Sequence, residues 1–193
     1  MRPAYDLASL FEQSSVTRTA TQEEIAEAER QVGPLPECYK RFAATFGYGI
    51  TNNLFIIEMP FGMDANSGLI ARGDVLREQF RWLVDGHRED GLEIGEEDCL
   101  EPYDEESRDV AAFVDRLQFF GKSENGEYLC WRATDDGMFR FHVIDRACLS
   151  IRYGGASLID FIRASQTDAV KTMLGMGYER LPRTFEGAYQ SLS

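Results

Sequence analysis

Histidine is nearly missing from this chain, basic residues are in deficit, and long apolar runs do not occur; each shortage removes a class of function. The two histidines, His87 and His142, are far apart, and neither belongs to an HExxH, CxxC or GxSxG pattern. Zinc sites and nucleophile–base pairs therefore have no footing in the sequence, and each imidazole reads as a surface or partly packed side chain. The cysteines Cys38, Cys99, Cys130 and Cys148 are equally dispersed, with no CxxC pair. Unpaired cysteines without an export signal read as reduced, buried thiols of a cytoplasmic protein. The longest uncharged stretch, residues 42–57, is interrupted by Gly47, Gly49, Asn52 and Asn53, too short and too polar to cross a bilayer. The first residues carry Asp6 and Glu12 and no apolar run of the kind that makes a secretory signal. Finally, 20 Lys and Arg stand against 33 Asp and Glu, giving a net charge of -13. That sign repels phosphate backbones and anionic lipid, so neither nucleic acid nor membrane is expected as a partner.

Glycine patterns offer no nucleotide site either. Gly121-Lys122-Ser123 has Arg116 where a phosphate-binding loop needs glycine, and Gly47-x-Gly49 and Gly175-Met176-Gly177 lack the third glycine of a dinucleotide fingerprint. Both pairs read as helix ends. A calcium loop would need D-x-D-x-D-G alternation, which the chain does not contain.

What is present reads as an α+β chain at a length suited to a single domain. Thr21 and Glu24 form a capping box ahead of Ile25, Ala28 and Val32, a helix that Gly33 and Pro34 stop. Leu35-Pro36 opens a second helix with Tyr39, Phe42, Ala43 and Phe46 on one stripe, ending at Gly47 or Gly49. Residues 53–59 read as a strand and 60–68 as a loop, before Leu76, Phe80, Leu83 and Val84 mark a third helix. Earlier, Leu7, Leu10 and Phe11 suggest a short docked helix. Val110, Phe113, Val114 and Leu117 suggest another, and the texture then changes to strands at 117–120, 127–132, 138–144 and 148–153. Asn125-Gly126 and Asp136-Gly137 supply hairpin turns between them, and Phe139, Phe141 and Val143 alternate with Arg140 and His142 across two sheet faces. Ser157 caps a helix with Leu158, Phe161 and Ile162, and Ala169, Val170, Met173 and Leu174 continue the helical region to Gly175. The expected fold is an antiparallel sheet of about four to six strands packed with N-terminal and C-terminal helices.

Charge is unevenly spread. Residues 85–109 hold 12 acids against Arg88 and Arg108, a net of -10, while the rest of the chain nets -3. With few apolar residues the run should be a solvated surface loop. Two uses compete: plain solubility, or a negative field that speeds encounter with a cationic protein. Trp82 and Tyr103 lie close enough in sequence to act as desolvated anchors, although each is equally readable as a core or rim aromatic. A third reading, a carboxylate hydrolase, needs one acid held protonated in an apolar setting, which this run lacks.

Several of these residues also carry a family likeness. Thr21-x-x-Glu24-Ile25, Leu35-Pro36-x-x-Tyr39-Lys40-x-Phe42 and Gly47-x-Gly49 resemble the N-terminal signature of the SUKH superfamily, which includes a yeast cell-wall regulator and many bacterial immunity proteins. Phe120-Gly121, Asn125-Gly126-x-Tyr128-x-Cys130-Trp131, Phe141-His142-Val143-Ile144 and Ser157-Leu158-Ile159-Asp160-Phe161-Ile162 are similar to its sheet and final helix. The resemblance covers residues 21–163. It implies an α+β SUKH-like core with the acidic insert 85–109, flanked by helical extensions 1–20 and 164–193. It implies also a non-catalytic cytoplasmic immunity protein, without cofactor or metal, that binds and neutralises a cognate toxin, commonly a nuclease or nucleic-acid deaminase. The alternative is a regulatory scaffold of the yeast type. The family shares no active-site residues to carry over. The expected contact residues are Asp85, Glu89, Asp90, Glu93, Glu96, Glu97, Asp98, Glu101, Asp104, Glu105 and Glu106, with Trp82 and Tyr103.

Overall fold

A computed structural model describes residues 7–62, 68–90, 116–148 and 150–188. The elements run β1 (Gln13–Ser15), α1 (Gln22–Val32), α2 (Glu37–Thr45), β2 (Gly49–Thr51), β3 (Phe55–Ile57), α3 (Leu69–Glu89), β4 (Gln118–Ser123), β5 (Tyr128–Ala133), β6 (Phe139–Ile144), β7 (Ile151–Gly155), α4 (Leu158–Ser165), α5 (Val170–Leu174) and β8 (Thr184–Gly187). One sheet has the order β1-β8-β2-β3-β4-β5-β6-β7. The β1–β8 pair is parallel and every other pair is antiparallel.

Helices cover both faces of that sheet. Ile25, Tyr39, Phe42, Leu158, Phe161 and Met173 join Phe55, Phe120, Trp131 and Phe141 in the larger core. On the other face α3 buries Leu76, Phe80 and Val84 against Phe119, Tyr128, Cys130, Ile144 and Ile151. The period-2 geometry of a strand makes this possible, since Tyr128 and Cys130 point to the α3 side while Leu129 and Trp131 point to the other.

Local chemistry accounts for the joints. At α1 the Glu24 backbone N–H donates to Thr21 Oγ1 at 3.2 Å, while the Thr21 N–H donates to a Glu24 carboxylate oxygen at 2.9 Å. Gly126 and Gly137 close the β4–β5 and β5–β6 hairpins with φ of 97° and 73°. Gly47 has φ 74°, and a Cβ there would sit 1.7 Å from the Arg18 carbonyl oxygen. At Gly49 it would sit 2.3 Å from the Glu186 oxygen. The Gly47-x-Gly49 pair is therefore the place where the segment before α1 and strand β8 pass against the backbone that follows α2.

Three expectations need correction. Among the described residues the sheet has eight strands, not four to six, and it is mixed, not antiparallel, because the two ends of the chain pair with each other. β1 and β8 are too short to show a period, and their partners lie some 170 residues away. The ends are consequently not helix-only extensions packed on the sheet. Leu7, Leu10 and Phe11 are buried, but in a turn closed by Leu10 N–H to Leu7 O, with no helix. Phe11 packs on Phe46 with ring centroids 4.9 Å apart, and both meet Phe185 of β8. Third, α3 extends through Glu89, so the first acids of the charged run lie on a helix. The expected helix around Val110, Phe113 and Val114 lies outside the described residues; Leu117, next to β4, is buried.

Candidate partner-binding surface

Helix α3 is the element that presents charge and apolar surface together. One stripe, Leu76, Phe80 and Val84, is fixed in the core, with Leu83 partly buried beside it. At 3.6 residues per turn this leaves Val75, Glu78, Gln79, Trp82, Asp85 and Glu89 facing outward, and all six are exposed. Trp82 is 74% exposed, the least covered aromatic side chain among the described residues with large apolar surface. Glu78, Asp85 and Glu89 stand at i-4, i+3 and i+7 from it, so the indole sits on a ridge edged by carboxylates.

The acids are also misplaced for helix stability. A helix C-terminus carries partial negative charge and favours cations. Asp85 and Glu89 nonetheless lie near the end of α3, together with His87 and Arg88, and Asp90 follows it with its N–H bonded to Gly86 O at 3.1 Å, while no acid occupies its first turn. Helix stability alone would reverse that distribution. The Trp82 indole likewise lies outside both cores.

Of the residues expected at the contact, Trp82, Asp85 and Glu89 are thus brought together on one helix, and Asp90 follows it directly. Glu93, Glu96, Glu97, Asp98, Glu101, Tyr103, Asp104, Glu105 and Glu106 lie outside the described residues. Sequence reasoning missed Val75, Glu78 and Gln79, because the acidic run was delimited by charge density and not by helical spacing. The signal was available, since Glu78 is one turn before Trp82.

The remaining reactive groups are arranged for packing. Cys38, Cys130 and Cys148 are buried and free. Burial pushes the Cys130 thiol well up and, with Asp145 nearby, raises Cys148 to about 12, so neither forms a thiolate nucleophile. His142 lies against Tyr153 in the sheet, and burial, reinforced by Arg132 and Arg140, lowers it to about 3. Three carboxylates among the described residues are displaced downward. Asp136 is lowered by Thr134 and Asp168 by Arg180; at Glu29 the Lys40 ion pair and Leu35 N–H outweigh burial. A general acid requires the opposite direction. Among the described residues no cluster of His, Cys, Asp and Glu could hold a metal ion, and no helix is long and apolar enough to cross a membrane.

Comparison with known proteins adds one finding. The family model described as SMI1 / KNR4 family (SUKH-1) matches residues 19–163. Neither a curated protein nor a solved structure gives a significant match.

Proposed function

The chain belongs to the SMI1 / KNR4 family (SUKH-1), and from that premise we propose that it is an immunity-type protein that binds and neutralises a basic protein toxin, a nuclease or nucleic-acid deaminase. Membership supports a protein partner in general terms. The observation that carries it is the α3 ridge, with exposed Trp82 edged by Glu78, Asp85 and Glu89. An enzyme that handles nucleic acid must present a cationic cleft, and an acidic ridge with an aromatic anchor is complementary to such a cleft. The carboxylates steer the approach, the indole is desolvated in the contact, and the bulk of the domain covers the toxin's substrate site. No chemistry by this protein is required.

The test uses a basic nuclease or deaminase toxin captured from the source cell by the full chain, and stopped-flow association at several salt concentrations. Replacing Glu78→Lys, Asp85→Lys and Glu89→Lys together should slow association about tenfold or more at low salt and flatten its salt dependence. An unchanged on-rate would remove the steering role. Stoichiometric capture of a housekeeping protein, with no toxin captured, would replace the immunity reading with the regulatory-scaffold one.

A further inference from the structure

Beside the acidic ridge, α3 has a second face of opposite sign. Arg77 and Arg81, one turn apart, turn toward a groove of about 740 Å³ between the end of α1, the first half of α3 and the edge of β4–β6. Arg116 joins them, and Val32, Ile70 and Phe139 form the apolar wall. Among the described residues the groove is lined by three guanidiniums and one carboxylate, Asp74, in a chain whose net charge is -13. Asp74 is already engaged: its Oδ1 accepts from Arg77 Nη1 at 2.7 Å, and Arg77 Nη2 donates to Leu117 O at 3.3 Å. Those two bonds hold the Arg77 guanidinium across the floor of the groove. Arg81 and Arg116 also have interactions of their own within the chain, so a ligand would enter an existing charge network.

We propose that this groove binds a small organic anion: a carboxylate or phosphate group taken by the arginines and attached to an apolar ring seated on the Phe139 side. The volume falls within the range of about 300–1,000 Å³ usual for small-molecule sites. The mixed lining matches the usual division of labour, with apolar walls supplying area and a few polar groups fixing orientation. Guanidinium suits carboxylate and phosphate because its planar fork can donate two parallel hydrogen bonds to either. A cationic or neutral ligand would gain nothing from three arginines, and the chain's overall charge repels a long polyanion. The site is separate from the α3 ridge and does not depend on the toxin reading.

The probe is 8-anilinonaphthalene-1-sulfonate, an anion on an apolar ring, titrated into the full chain by fluorescence, with benzoate and phenyl phosphate as competitors. Saturable one-to-one binding is expected, with competition from benzoate marking a carboxylate site and from phenyl phosphate a phosphate site. Arg81→Gln with Arg116→Gln should weaken it about fivefold, as expected for two partly exposed charge pairs. Pro34→Glu, at an exposed lip position, should weaken it without touching any arginine, and this variant decides the matter if the double variant fails to fold. Trp82→Ala, on the rival apolar surface, should leave it unchanged. The inference is overturned by absence of saturable binding, by equal affinity in the groove variants, or by loss of binding in Trp82→Ala.

Discussion

Asn52 is the residue whose removal tests most directly how the chain's distant parts are held. It sits in the turn between β2 and β3 with φ 53°, fully buried, a left-handed conformation that asparagine tolerates better than other non-glycine residues. Its Nδ2 donates to Ile162 O at 3.2 Å and Ser165 Oγ at 2.7 Å, and its Oδ1 accepts from Gln166 Nε2 at 3.0 Å. Gln166 Nε2 in turn reaches Leu10 O at 3.1 Å, so one amide links the N-terminal segment, the β2–β3 turn and the end of α4. Asn52→Ala deletes three buried hydrogen bonds at about 0.5–1.5 kcal/mol each. It also places a Cβ-bearing residue with no compensating bond in the left-handed region, for about 1 kcal/mol more. Some loss is recovered, because Ser165 Oγ still donates to Ile162 O at 2.7 Å and Gln166 keeps Leu10 O. The expected net loss is about 3 kcal/mol, or about 6–12 °C in Tm for a chain of this length. Asn52→Gly, which removes the bonds but not the backbone freedom, should lose about 2 kcal/mol. Equilibrium urea unfolding followed by two probes measures both. A loss below about 1 kcal/mol in each variant would show that the hydrogen-bond bridge does not hold these segments together.

Two further perturbations follow from the same structure. His142 is held neutral, lowered from 6.5 to about 3, so the unfolded chain binds the extra proton in between. This contribution should be level above pH 7 and fall as the pH drops from 6.5 toward 3, at up to about 1.4 kcal/mol per pH unit. Between pH 7 and pH 4 wild type should lose stability relative to His142→Phe in thermal melts; parallel curves would contradict the assignment. Gly47→Ala should cost more than about 3 kcal/mol, because the new methyl meets the Arg18 carbonyl. Gly33→Ala, at φ 85° and ψ -173° with nothing within 4 Å, carries backbone strain alone, about 1–3 kcal/mol, and a loss at Gly33 equal to or above that at Gly47 would refute the close-approach argument.

The parts of the fold that were legible in the sequence are those set by short-range chemistry. The Thr21–Glu24 capping box, the two Gly-closed hairpins and the alternation of Phe139, Phe141 and Val143 are all decided within a few residues. β1 and β8 were illegible because three and four residues carry no period and their pairing brings together opposite ends of the chain. Leu7, Leu10 and Phe11 announced burial correctly, but burial can be met by a turn as well as by a helix. The acidic half of the α3 ridge was visible as charge. The ridge itself, with Val75, Glu78 and Trp82 in register, emerged only once the helix was known to span Leu69–Glu89. The arginine-lined groove was out of reach, since it is assembled from residues of α1, α3 and three strands.

The central claim is that α3 is the contact surface for a basic toxin, and the most direct test is the affinity of Trp82→Ala for a basic nuclease or deaminase toxin that the wild-type chain captures. Trp82 is exposed and outside both cores, so the variant should melt with the wild type. If the indole is the desolvated anchor of the interface, affinity should fall by about 2 kcal/mol or more, roughly thirtyfold, with inhibition of the toxin weakened in step. A Kd within twofold of wild type, with inhibition intact, would place the contact elsewhere on the molecule.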